Sequence, residues 1–285
     1  MYLIKFIIHV VIEQQPYAPW LAPYAFSIIV VGFFFFLFKI FETAFAHYYN
    51  RPLFRYYLVY KKLTRDQKSI LETEFVFYQM LSEKHKKQFE HRVANFINEK
   101  KFVERGGVAI TERMKLLVAA IGCMLSFGRK NYLYALIDFV LIYPEEFYSS
   151  INEHYHKGEF NPREKALVLS WKDFENGYKI ENDNLNVGIH EFTHAMQLEA
   201  KQAKDIDSVR FTKQFQKILK QLAKVDVREK LEKTRFFRMY AFTNQYEFMA
   251  VLAEYFIESP TELKSNFPEI YNYTKTILNF NFNDY

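Results

Sequence analysis

The chain has 285 residues, enough for one sizeable domain and an appendage, and its 50% hydrophobic and 25% charged residues are ordinary for a globular protein. A net charge of +5, thinly spread and with no basic run interleaved with aromatics, argues against nucleic-acid binding. Cys123 is the only cysteine, which excludes a disulfide within the chain; in the apolar run Leu116-Leu117-Val118-Ala119-Ala120-Ile121-Gly122-Cys123 it reads as a buried, inert thiol.

Residues 14–38 carry no charge, and counting from Trp20 the apolar stretch is about 19 residues long, close to the ~20 that cross a bilayer as a helix. Tyr17, Trp20 and Tyr24 would lie at one interface and Lys39 at the other. Arg51, Arg55, Lys61, Lys62 and Arg65 follow, whereas Lys5 is the only Lys or Arg before the span. The positive-inside rule therefore predicts a single-pass protein of the inner (cytoplasmic) membrane with its C-terminal bulk in the cytoplasm. Two rivals exist. A cleaved leader would use Ala44-Phe45-Ala46, but Lys39 and Glu42 intervene; a buried core helix would have to carry Pro23 and Gly32. Residues 1–11 are apolar but too short to span. The expected organisation is an N-terminal segment 1–45 with a span at about 20–38, a linker 46–62 and a soluble domain 63–285.

Thr64-Arg65-Asp66-Gln67 reads as a capping box that opens a helix, and Phe89, Val93, Phe96 and Ile97 form a later helical stripe. Gly106-Gly107 punctuates, Val108-Ala109-Ile110 reads as a short extended piece, and Thr111 caps an apolar helix from Glu112 to about Leu125. The continuous apolar runs Phe139-Val140-Leu141-Ile142-Tyr143 and Ala166-Leu167-Val168-Leu169-Ser170 read as buried strands. His154 and His156, spaced H-x-H, read as an exposed loop pair, and residues 175–183, with Asn176-Gly177, as a loop. The strand ending at Trp171 is expected to offer an edge for an extended peptide. Residues 201–235 read as one long polar helical stretch over a packed stripe.

The segment between the last two features carries the chemistry. His190-Glu191-Phe192-Thr193-His194 is H-E-x-x-H, and on a helix positions i and i+4 share a face. Two imidazoles can then hold one metal ion while Glu191 stands beside it to take a proton from water, the arrangement of zinc metallopeptidases. Such a site needs a third ligand. Glu247, Glu254 and Glu258 are candidates on an apolar helix downstream; Glu247 and Glu254 are two turns apart on one face, and a salt-bridged structural role suits Glu254 or Glu258 better than Glu247.

From about residue 89 onward the chain resembles the Mlc titration factor A family of zinc peptidases, whose catalytic core is similar to that of anthrax toxin lethal factor. The matching blocks, in order, are Thr111-Glu112-Arg113-Met114-Lys115-Leu116-Leu117, Ile142-Tyr143-Pro144-Glu145-Glu146-Phe147, Leu169-Ser170-Trp171, the segment 186–194, and Tyr246-Glu247-Phe248-Met249-Ala250-Val251-Leu252-Ala253-Glu254. The resemblance implies an α+β, mainly helical, zincin-like (gluzincin) domain with a small sheet. It implies one Zn2+ held by His190, His194 and Glu247, with Glu191 as general base. It also implies that Tyr240, which its aromatic surroundings alone would assign to the core, helps stabilise the transition state. Thr193 departs from the small alanine expected there. The resulting expectation is a membrane-anchored, zinc-dependent peptidase acting on a peptide or protein substrate. The alternative is a zinc-containing binding module that sequesters a transcriptional regulator with little or no peptidase activity.

Overall fold

The computed structural model describes residues 21–49, 59–149, 153–179 and 183–281. The chain divides into two units, residues 1–49 and 50–285. In the first, helix α1 (Ala22–Tyr49) contains a stretch, Pro23–Phe45, long and apolar enough to cross a membrane. Its apolar side chains are exposed, Ile28 at 72% and Phe34 at 64% among them. Tyr17, Trp20, Arg51, Arg55 and the stretch 1–11 lie outside the described residues.

The second unit is mainly helical with a small sheet. It begins with α2 (Arg65–Glu74), α3 (Val76–Met80) and α4 (Glu83–Glu99). The capping box at α2 is complete: Gln67 N–H donates to Thr64 Oγ1, and Thr64 N–H donates to the Gln67 side chain. Strand β1 (Lys101–Glu104) precedes α5 (Glu112–Leu125), which Thr111 caps. Every residue of α5 from Leu116 to Leu125 is buried, making it the central core helix. Strands β2 (Phe139–Tyr143), β3 (Phe147–Ser149), β4 (His154–His156), β5 (Gly158–Asn161) and β6 (Ala166–Ser170) follow. The remaining helices are α6 (Trp171–Lys179), α7 (Val187–Gln202), α8 (Ile206–Leu222), α9 (Val225–Thr234), a 3-10 turn (Met239–Phe242), α10 (Gln245–Glu258), α11 (Pro260–Asn266) and α12 (Pro268–Leu278).

The main sheet has the order β1-β2-β6-β5, parallel except for β5, which runs antiparallel to β6; β3 and β4 form a separate hairpin. Strand alternation sends Val140, Ile142, Leu167 and Leu169 into the helical core, while Ala166 and Val168 meet Phe147 on the opposite face. Phe192 of α7 is fully buried between Phe96 and Tyr134. Burial of one such ring is worth about 1.5–3 kcal/mol, and it fixes α7 against the core.

Five local expectations are corrected. The extended piece is β1, not 108–110: Gly106 and Gly107 adopt positive φ, and Ile110 N–H is taken by the Glu104 carboxylate instead of a strand partner. Residues 171–179 are helical, because Ser170 Oγ accepts from Asp173 N–H at the start and Phe174 is buried; Gly177 is required there not for a turn but for room, since a Cβ would lie 2.6 Å from Leu185 O. The stretch 201–235 is two helices, divided after Leu222, with Asp205 capping the first. Strand β6, ending beside Trp171, is interior; the sheet edges are β1 and β5. His154 and His156 stand on β4, His154 exposed and His156 half-buried.

Candidate metal centre

Asn186 starts α7. Its Oδ1 accepts from Ile189 N–H (3.0 Å), its Nδ2 donates to Gly177 O (3.0 Å), and its own N–H donates to Glu254 (3.1 Å). The cap thus ties the first turn of α7 to α6 and α10 at once. His190 and His194 then project from one face, with ring centroids 4.7 Å apart. Thr193 points elsewhere and spends its hydroxyl on Ile189 O (2.7 Å). On the facing helix, Asn244 Oδ1 accepts from Tyr246 N–H (2.8 Å) and Glu247 N–H (3.1 Å), so Glu247 leaves from the first turn of α10.

These caps bring His190, His194 and Glu247 together, with one donor atom from each within 4.8 Å of the others. Glu247 bridges the two rings, with its Oε2 3.0 Å from His190 Nε2 and its Oε1 3.5 Å from His194 Nε2. On the other side of His190, Nδ1–H donates to Glu254 Oε1 at 2.7 Å. Burial alone would lower the His190 pKa, but the hydrogen bonds to Glu247 and Glu254 outweigh it and raise it to about 10. Burial would push Glu247 up, yet the two histidines hold it far below the usual carboxylate range. A carboxylate drawn between two imidazoles that turn their Nε2 atoms to one point is a set of donors that could hold a cation. Two nitrogens and one oxygen, with a second carboxylate fixing the orientation of the first imidazole, match a catalytic zinc centre in chemistry.

Glu254 is 1% exposed and doubly held by Arg238, whose Nη1 and Nη2 donate to its two oxygens at 3.0 and 2.8 Å. Arg238 also donates to Asn184 O, so one guanidinium links the 3-10 segment, the loop before α7 and α10. Tyr240 follows two residues later, half exposed, with its ring centroid 6.0 Å from that of His190. Burial first, then the negative charge of Glu247, raises its pKa, so the phenol keeps its proton as a donor.

Glu191 is buried, and burial raises its pKa against the opposing pull of His190 and His194. Its carboxylate lies against Gly158, where a Cβ would fall 2.9 Å from Oε1. Of the residues singled out in the sequence, His190, Glu191, His194, Tyr240 and Glu247 stand in one place, with Glu254 behind His190. Gly158 and Arg238 were not singled out. No pattern in the sequence marks either; the sole hint was the two-turn spacing of Glu247 and Glu254 on a helix too apolar for an unpartnered carboxylate.

The profile of the glucose-regulated metallo-peptidase M90 family matches residues 53–278. The uncharacterized protein slr2042 of Synechocystis sp. is 26% identical to this chain over 225 residues, covering 71% of this chain and 79% of that one.

Proposed function

This chain belongs to the glucose-regulated metallopeptidase M90 family, the family of Mlc titration factor A, and from that premise we propose a zinc-dependent, zincin-like peptidase tethered to the membrane by α1. The observation that carries the reading is the convergence of His190, His194 and Glu247 beside Glu191 and Tyr240. These three residues would hold one Zn2+, which when bound would supply Lewis acidity to the scissile carbonyl and ease deprotonation of a water.

Glu191 takes a proton from the attacking water and passes it to the leaving amine. Tyr240 donates its phenolic proton to the oxyanion that develops on the scissile carbonyl. Glu254, held by Arg238, keeps the His190 ring turned so that Nε2 faces the centre. The outer edge of β5 receives the substrate as an added strand, because it ends the sheet and its first residue abuts Glu191.

From Ala22 onward the span at about 20–38 coincides with α1, and the linker 46–62 leads to the catalytic domain 63–285. The basic residues after the span support a cytoplasmic domain under the positive-inside rule. The test is incubation of the full chain, in detergent, with an unfolded protein substrate. Cleavage that a chelator stops and zinc restores is expected. Substrate left intact by the zinc-loaded protein would refute the peptidase, leaving the regulator-binding alternative.

A further inference from the structure

The 3-10 turn Met239–Phe242 walls more than the metal centre. In such a turn residues three apart fall on one side, so Met239 and Phe242 share a side that Tyr240 does not. Tyr240 carries its ring to 6.0 Å from that of His190. Met239 and Phe242 instead line a groove of about 430 Å³, whose base is formed by the buried side chains of Leu231 and Phe237. Phe248, the residue after Glu247, packs on both Phe237 and Phe242, with ring centroids 5.4 and 6.1 Å away. The first turn of α10 therefore fixes the groove and the metal cluster together.

The other wall is α9 and its C-cap. Arg228, Leu231, Glu232 and Arg235 all line the groove, and their spacing of three, four and seven residues puts them on one helix face. Arg235 ends α9 in the left-handed region, at φ 47°, where glycine is the usual residue; the chain keeps a guanidinium there. Both arginines are exposed, and neither they nor Glu232 enter an ion pair among the described residues. Two cations against one anion leave the wall positive. Met239 and Phe242, at 82% and 47% exposed, add apolar surface that the chain itself leaves uncovered.

We propose, on the premise of the peptidase reading above, that this groove is a specificity subsite for the substrate: it takes a large apolar side chain, and Arg228 and Arg235 pair with an Asp or Glu next to it. The apolar base suits a phenylalanine, leucine or methionine side chain. A carboxylate beside that side chain meets two guanidinium groups, each able to accept it with two hydrogen bonds. A simple anion would leave the apolar base uncovered, and a basic segment would be repelled. Because Met239 and Phe242 flank Tyr240 in the chain, the groove begins at the margin of the metal centre, and an extended substrate reaches it within a few residues of the cut.

The test has two arms, both on the zinc-loaded full chain in detergent. In the first, the wild-type protein digests a mixed peptide library and the cut sites are sequenced. In the second, fluorescence anisotropy follows binding of labelled alanine-serine peptides carrying Phe-Glu, Ala-Glu or Phe-Lys to the Glu191→Gln protein. Cut sites are expected to show Phe, Leu or Met beside an acid at one fixed distance from the cut. The Phe-Glu peptide is expected to bind roughly tenfold more tightly than either of the others. Added to Glu191→Gln, Arg228→Glu, an exposed helix position, should reverse the order of the Phe-Glu and Phe-Lys peptides. Arg235→Gly, which suits the left-handed cap, should shrink their difference about threefold or more. Cleavage without such a preference, or the original binding order kept by both variants, would overturn the proposal. Effects of the variants confined to self-association, read by analytical ultracentrifugation, would assign the groove to a second copy of the chain and overturn it as well. Failure to cleave any peptide would count against the peptidase reading and not the groove, which the binding series then decides alone.

Discussion

Gly158 opens β5 with its α-carbon against α7, and the space it leaves is specific. A Cβ there would lie 2.4 Å from Val187 Cγ2, 2.8 Å from Glu191 Cγ and 2.9 Å from Glu191 Oε1. Ordinary carbon contacts are about 3.5–4.0 Å, so Gly158→Ala forces strand and helix apart or turns Glu191 away, a movement on the order of 1 Å. Overpacking of this kind costs about 1–3 kcal/mol. For a domain of this size each kcal/mol lowers the melting temperature by about 2–4 °C. Misplacing a catalytic group by about 1 Å costs on the order of 100-fold in turnover. His190, His194 and Glu247 are not touched by the added methyl, so metal content is expected to stay at one zinc per chain. Scanning calorimetry, zinc analysis and peptide turnover measured on one preparation separate these effects. A Gly158→Ala protein with wild-type melting and wild-type turnover would refute the packing of β5 on Glu191 as the source of its position.

Other changes report on the support around the site. Glu254→Ala deprives His190 Nδ1 of its acceptor and Arg238 of its partner; competition with a zinc chelator should show affinity lower by about 10–100-fold, and unchanged affinity would contradict the orienting role. Glu258 is pushed up to about 8, by burial first and then by the charges of Glu254 and Asp183, against hydrogen bonding from the Asn186 side chain. The folded-state value lies above the unfolded one, so its contribution to stability is fully present below about pH 4.5 and lost as pH rises through about 8. Glu258→Gln should therefore raise the urea midpoint at pH 9 relative to wild type and lose that advantage near pH 4.5; a difference independent of pH would count against it. Burial pushes the Cys123 thiol up to about 12, so a thiol reagent at pH 8 should modify it only as fast as the domain opens, and immediate reaction in native buffer would contradict its placement in α5.

Local chemistry was readable where one short stretch decides it. The capping box at Thr64, the cap at Thr111 and the two apolar runs that became β2 and β6 each depend on neighbours a few residues away. The H-E-x-x-H spacing is equally local, because one helix carries both imidazoles. Strand order is not local. Whether β6 or β5 forms the edge depends on which strands find partners, and an apolar run reads the same in either position. Asn176-Gly177 misled for a similar reason: the pair favours a turn in isolation, but Phe174 has a core to enter and Gly177 a backbone to meet. Arg238 reaches Glu254 across sixteen residues and Asn184 across fifty-four, and no periodicity encodes contacts of that range. The carboxylate that orients His190 was visible as a candidate; the arginine that holds it became visible only in the fold.

The central claim is that Glu191 moves the proton while His190, His194 and Glu247 hold the metal. The most direct measurement compares the zinc-loaded full chain with its Glu191→Gln variant on a mixed peptide library, with zinc content determined for both. Equal zinc in the two proteins, with cleavage by the first and none above background by the second, is the predicted result. A Glu191→Gln protein that cleaves at the wild-type rate would contradict the account.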